Sequence, residues 1–265
     1  MKIENQIMLG RLSAADERKY YHYCLEISLA DENYKVKSVT FFAKDADNPE
    51  KDFVCVRECE DSFAVLIAET DDPGIISEGV DFLLSLNANE NQLWTNHREV
   101  LSLLCVTGNF DVFPVNEPAP PTCSVGSVSE LVSIPTPKGV AISLPEDGFP
   151  ESLLSGLEID TPYSDRFIDI RRYFLIKEGK PIGYLRAERG YKNYYDIGWL
   201  FIIPKEQRHG YASALVAYYA EDCVKNGFIP NYGTAVSEGS EKVAKKCGFS
   251  RDAGYKFRRP LIRRK

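Results

Sequence analysis

The residues of this chain that could do chemistry lie between a strand-like apolar run ending at Pro204 and a helix-like run that follows. They read Gln207-Arg208-His209-Gly210-Tyr211-Ala212-Ser213. A diphosphate needs several hydrogen-bond donors converging on it with no bulky side chain in the way. Successive backbone N–H groups leading into a helix supply them, helped by about half a positive charge at the helix N-terminus. Gly210 lets the chain bend and approach a ligand closely. Ala212 is small for the same reason, the Ser213 hydroxyl can donate, and Arg208 and His209 add donors. The Q-x-x-G-x-A spacing is weak alone, but here it opens an amphipathic helix carrying Ala212, Leu215, Val216, Tyr219 and Cys223. The rival phosphate motifs, G-x-x-x-x-G-K-[ST] and G-x-G-x-x-G after a strand, are absent.

The elements that must position this turn follow from periodicity and breakers. Strands are expected over Gly139–Leu144, Arg171–Lys177, Ile182–Arg189, Tyr195–Ile203, Tyr232–Val236 and Tyr255–Arg259. Helices are expected over Pro150–Ile159, Gly210–Lys225 and Ser240–Cys247. Asn226-Gly227 and Gly248 stop the last two. Upstream, helices are expected over Ala14–Leu29, Ile75–Leu86 and Leu93–Leu104, and strands over Val36–Phe42, Asp52–Cys59 and Ser62–Ala68. Trp94 and His97, on or near one helix face, read as core packing. A proline-rich stretch from Pro114 to Pro121 reads as a linker. It divides the chain into an N-terminal α/β domain, 1–125, and a C-terminal domain, 126–265. No repeat of 20–50 residues is visible.

Composition narrows the functional class. The 265 residues are 44% hydrophobic and 27% charged, which suits a globular protein with a buried core. Residues 1–125 hold 10 basic and 22 acidic side chains, and residues 126–265 hold 22 and 17. The basic back half suits an anionic ligand, while the net charge of −7 argues against nucleic acid. No apolar run reaches the roughly 18 residues that span a bilayer. The opening Met-Lys-Ile-Glu-Asn-Gln lacks an export-signal core. The seven cysteines are irregularly spaced, and neither they nor the scattered His22, His97 and His209 form a metal pattern. Reduced thiols, a cytoplasmic location, no metal and no membrane partner are therefore expected.

At these residues the sequence resembles the GNAT superfamily of acetyltransferases. Its acyl-CoA turn reads [Q/R]-x-x-G-x-[G/A], which Gln207, Gly210 and Ala212 match. The preceding strand, with Ile202 ahead of Pro204, matches as well. Lys246-Cys247-Gly248-Phe249 is similar to the family's K-x-G-F close. The resemblance covers roughly residues 139–260. It implies an α/β (α+β) fold with a mixed sheet, splayed central strands and flanking helices. The smaller N-terminal domain has strands that permit a degenerate copy of the same fold, although it lacks the turn.

The resemblance also implies chemistry. Acetyl-CoA would be the cosubstrate, its pantetheine arm held in the notch by backbone groups of Phe201, Ile202 and Ile203 and its pyrophosphate by residues 207–213. The acceptor would be a primary amine of a small molecule, attacking directly in a ternary complex. Asp196, eleven residues before Gln207, falls where one branch of the family carries a catalytic Glu. Glu188 on the preceding strand is the other candidate base. The family's usual Tyr acid falls on Ala244, and its usual Asn on Ser237. Tyr232 or Tyr219 can substitute for the missing acid. The basic tail from Lys256 reads as solvated, or as a contact for the CoA 3′-phosphate. The rival reading is an acyl-CoA sensor without chemistry, favoured by Ala244. A monomer or homodimer is expected.

Overall fold

The computed structural model describes residues 1–16, 36–59, 63–86, 90–92, 110–113, 122–124, 128–144, 170–235, 237–249, 256–257 and 261–264, with a few single positions between them. The expected helices Pro150–Ile159 and Leu93–Leu104, with Trp94 and His97, lie outside the described residues. The chain divides into two compact units, one of residues 1–122 with 255–265 and one of residues 123–254.

The first unit is built on a seven-stranded sheet. Strand β1 (Lys2–Ile3) and helix α1 (Asn5–Asp16) lead into β2 (Val36–Ala43), β3 (Phe53–Cys59) and β4 (Phe63–Glu69). Helix α2 (Pro73–Ser85), β5 (Glu90–Gln92) and β6 (Phe110–Phe113) follow, and β15 (Leu261–Arg264) comes from far along the chain. Strands β1 to β4 are antiparallel neighbours, and β5 runs parallel to β4. β15 then inserts antiparallel between β5 and β6. Within the basic segment from Lys256 that was expected to be solvated, Leu261–Arg264 is thus an internal strand of this sheet.

Alternation buries Val54, Val56, Leu66 and Ala68 against Ile75, Ile76, Val80 and Leu83 of α2. A Cβ at Gly79 would overlap the Val54 side chain, so glycine sets how closely α2 approaches β3. Of the helix expected over Ala14–Leu29, the described residues Tyr23, Cys24, Ile27 and Ser28 are helical; before it stands α1, which was not expected and ends at Asp16. Its buried stripe is only Met8 and Leu12, one turn apart, with Gly10 between them. So thin a stripe gives little periodic signal.

The second unit carries strands β8 (Val140–Ser143), β9 (Ile170–Lys177), β10 (Lys180–Arg189), β11 (Tyr194–Ile202) and β12 (Ile229–Asn231). They lie in the sheet order β12-β11-β10-β9-β8. β8 to β11 pair antiparallel, and β12 runs parallel to β11. Glu178 and Gly179, at φ 52° and 73°, make the tight β9–β10 hairpin. Helix α3 (Tyr211–Lys225) makes the crossover between the parallel strands and buries Leu215, Val216, Tyr219 and Cys223 against Tyr173, Leu185 and Tyr195. On the opposite face Leu157 packs on Phe174 and Tyr184.

Strand β13 (Thr234–Ala235) pairs with β7 (Thr122–Ser124), and helix α4 (Glu238–Lys246) packs on α3 and β13. The strand expected over Tyr232–Val236 holds only β13; β12, which lies just before it at Ile229–Asn231, was not expected, and the two are separated at Tyr232-Gly233. Of the last expected strand, Tyr255–Arg259, the described residues form β14 (Lys256–Phe257). No helix among the described residues is long and apolar enough to cross a membrane.

Candidate active site

The turn is built as its residue types require. Pro204–Glu206 forms one 3₁₀ turn after β11, and Gln207 Nε2 donates back to the Ile202 carbonyl at 3.0 Å. Lys177 Nζ holds Glu206 at 2.9 Å. Arg208 and Gly210 then adopt left-handed backbone, φ 67° and 80°. Nothing lies within 4 Å of a Cβ at Gly210, so the glycine is needed for its φ and for what must approach it, not for internal space. Gly210 is the α3 N-cap and offers no side chain to the helix. The first-turn N–H groups of Tyr211, Ala212 and Ser213 are thus left without a side-chain cap, the state that suits an incoming anion.

Gln207, Arg208, His209 and Gly210 are exposed, and the His209 ring stacks on Tyr211 at 5.5 Å. Ser213 differs from expectation. It is buried, and its carbonyl accepts the Cys247 thiol at 3.3 Å. What Ser213 has to offer at the turn is its N–H.

Beside this turn the sheet opens. β11 and β12 pair only at Tyr194/Ile229, Tyr195/Pro230 and Asp196/Asn231. β11 continues to Ile202, whereas the other strand resumes as β13, paired with β7. The edge holding Phe201 and Ile202 therefore has no β12 partner, and Ile203 follows it with its N–H bonded to the Ile182 carbonyl on the β10 side.

Tyr219 sits at the last rung. Its hydroxyl is buried, donates to the Tyr195 carbonyl and accepts from the Asn231 N–H at 3.2 Å. Burial pushes this phenol well above its ordinary pKa, which suits a fixed spacer better than an acid. Tyr219→Phe would strand a buried carbonyl and a buried N–H. We expect a loss of about 1–3 kcal/mol in urea denaturation. An unchanged midpoint would remove the spacer role.

The two candidate bases face different surroundings. Glu188 and Asp196 are register partners on β10 and β11. The pairing slips next to them, from Ala187/Ile197 to Arg186/Trp199, which leaves Gly198 as the extra residue of a bulge. A Cβ at Gly198 would overlap the Glu188 carboxylate, so the glycine makes room for that group. Glu188 is only 5% exposed. Its Oε1 accepts from Arg186 Nε at 2.7 Å and from Nη2 at 2.6 Å, and neither bond uses Oε2. Burial raises the Glu188 pKa to about 7, with Arg186 opposing and Asp196 adding to the rise. Asp196 is half-buried, and the Asn231 side-chain amide donates to it.

Tyr232 is 2% exposed, packs edge-on to Phe249 and holds Ser240 Oγ at 2.7 Å. Burial pushes its pKa up. Ala244 is fully buried in the same core.

An uncapped helix behind a left-handed glycine turn, beside a parallel pair that separates, is the GNAT arrangement. Over residues 144–249 the sequence also matches the acetyltransferase (GNAT) family. Residues 144–249 are a GNAT domain.

Solved structures resemble the chain beyond that domain. A Drosophila protein aligns with 12% identity over 100% of this chain and 98% of its own, at a TM-score of 0.63. A GCN5-related N-acetyltransferase-like protein from Streptococcus suis aligns with 14% identity over 97% and 100%, at 0.53. A tandem GNAT protein from the clavulanic acid biosynthesis pathway aligns with 9% identity over 97% and 92%, at 0.55. At such identities the likeness concerns the fold. No curated protein matches the sequence.

The GNAT fold supports acyl transfer as the general activity; the turn adjoins the open edge of β11 at Ile202, and the two carboxylates are register partners on β10 and β11. Among the described residues no group of His, Cys, Asp or Glu could hold a metal ion. Arg186 and Gly198 were not singled out from the sequence. Both left a trace there: Arg186 stands two residues before Glu188, on the same strand face, and an isolated glycine inside a strand signals a bulge.

Proposed function

We propose that the GNAT domain transfers an acetyl group from acetyl-CoA to the primary amine of a small molecule, by direct attack in a ternary complex. The observation that carries this reading is the uncapped first turn of α3 set beside the notch between β11 and β12. The pyrophosphate would lie on the N–H groups of residues 208–213. The pantetheine arm would run along the edge of Phe201, Ile202 and Ile203. A backbone donor aimed at the thioester oxygen would stabilise the oxyanion, an effect of about 3–4 kcal/mol.

Glu188 is the better base. With a pKa of about 7 it is partly ionised at neutral pH and strong enough to take a proton from an ammonium on its way to attack. Asp196 is already engaged by Asn231 and serves as the second carboxylate near the amine. The amine nitrogen bonds to the carbonyl carbon, Glu188 takes its proton, and the carbon–sulfur bond breaks. Tyr232 is tied to Ser240 inside the core, so the thiolate leaves without its help. With a thiol pKa near 8.5 that costs about 2 kcal/mol at pH 7. Cys223 and Cys247 are buried thiols, in keeping with a reducing cytoplasm.

Thermal shift and turnover test the reading together. Acetyl-CoA at 100 times its Kd stabilises by about 2.7 kcal/mol, a rise of several degrees for a domain of this size. Gly210→Asp puts a side chain and a negative charge against the pyrophosphate, and the rise is expected to disappear. If the full shift survives in that variant, the turn is not the site. Ala244 favours the sensor alternative. Release of CoA thiol across polyamines, aminoglycosides and amino acids decides it, since tight binding without turnover on any of them would make the protein a sensor.

A further inference from the structure

The two units repeat one plan, so equivalent positions can be compared. Each has an edge strand on an antiparallel trio, then a helix, then a strand parallel to the third of the trio. These are β1 to β5 with α2, and β8 to β12 with α3. The junction from β11 to α3 in the GNAT domain therefore corresponds to the junction from β4 to α2 in the first unit.

The two junctions treat their helix donors in opposite ways. Gly210 leaves the first turn of α3 uncapped. In the first unit the junction is only Thr70-Asp71-Asp72. Pro73 opens α2 and has no N–H. Asp72 Oδ1 accepts from the Gly74 N–H at 2.9 Å and the Ile75 N–H at 3.3 Å. The Ile76 N–H is bonded to the Asp72 carbonyl at 3.1 Å. The second carboxylate oxygen meets Lys44 Nζ at 2.8 Å. The first-turn donors of Gly74, Ile75 and Ile76 are thus satisfied from within, and Glu69 and Asp71 add negative charge beside them.

The geometry points to a first unit that is a second copy of the fold with its anion cradle filled by its own Asp72 carboxylate, so that the chain binds one acyl-CoA, in the GNAT domain, and none in the first unit. This rests on the acyl-CoA reading of the Gly210 turn. Asp72 supplies what a bound phosphate would supply, a negative charge and two acceptor bonds at the helix N-terminus.

Isothermal titration of the full chain with acetyl-CoA tests it. One equivalent is expected for the wild type and none for Gly210→Asp, with circular dichroism confirming that the variant is folded. Hydrogen exchange on the wild type gives a readout that needs no variant. Acetyl-CoA is expected to slow exchange in the segment 207–215 and leave 70–76 unchanged. A second equivalent in the wild type, with one retained in a folded Gly210→Asp, or ligand protection at 70–76 beside that at 207–215, would overturn the filled-cradle proposal while leaving the turn as a site; a single equivalent kept undiminished by the folded variant would remove the turn as the site and this proposal with it. A wild type that binds no acetyl-CoA would overturn the acyl-CoA reading and this proposal with it.

Discussion

Glu188→Gln is expected to lower kcat/KM by about 10²–10⁴ at neutral pH, the usual worth of a positioned general base. The exchange keeps the shape and one acceptor oxygen for Arg186, so the loss reports the proton and not the packing. The pH profile makes the test specific. The carboxylate, with its pKa near 7, can accept a proton only when ionised, so wild-type kcat/KM rises with pH through about 7. That limb is expected to vanish in the variant. Asp196→Asn is expected to cost less, because Asn231 already engages that side chain. If Glu188→Gln keeps the wild-type rate and the rising limb, the base lies elsewhere.

Stability follows the same group with the opposite sense. Its folded pKa is raised from 4.5 to about 7, so the folded state holds the proton more tightly than the unfolded chain does. The associated stability is complete below about 4.5 and is lost as pH rises through about 7. Glu188→Gln is therefore expected to flatten the stability-versus-pH curve between those values. Arg186 complicates any larger change. It is as deeply buried as Glu188, and Glu188→Ala would remove the carboxylate that its Nε and Nη2 both use.

Ending the chain at Pro260 is expected to disrupt the first unit, although the missing residues are remote from it in sequence. β15 fills the place between β5 and β6, with register pairs Leu261/Gln92 to Arg263/Glu90 on one side and Leu261/Phe113 to Arg264/Phe110 on the other. At roughly 0.5–1.5 kcal/mol per ladder hydrogen bond, the loss is several kcal/mol, a large part of what a domain has to spare. Slow-exchanging amides in β2 to β4 are expected to lose protection, and residues 1–122 to become sensitive to limited proteolysis. Wild-type protection there after truncation would show that β15 is dispensable. The same topology makes folding of this unit wait for residue 264, because a strand from the far end of the chain completes its sheet.

Local physics was legible where an element carries its own signal. The strands β2, β3, β4, β9, β10 and β11 alternate or run apolar between turn residues, and their observed ends fall within two residues of expectation. The phosphate-type turn could be read because its need for a bend and a small residue is written into Gly210 and Ala212. α1 went unread because its buried stripe is too thin. The break between β12 and β13 was missed because nothing local at Tyr232-Gly233 announces that one strand leaves β11 and joins β7.

By itself, then, the sequence determined the order of elements, the turn before α3 and the two carboxylates worth considering. These depend on side-chain type and spacing over a few residues. Only the tertiary structure decided that Glu188 is buried against Arg186 over the Gly198 bulge while Asp196 is held by Asn231. It also decided that β15 belongs to the first unit's sheet and that Asp72 fills the α2 N-terminus. Burial, strand exchange and capping are relations between residues far apart or between backbone and side chain, and a carboxylate's pKa is set by those relations and not by its identity.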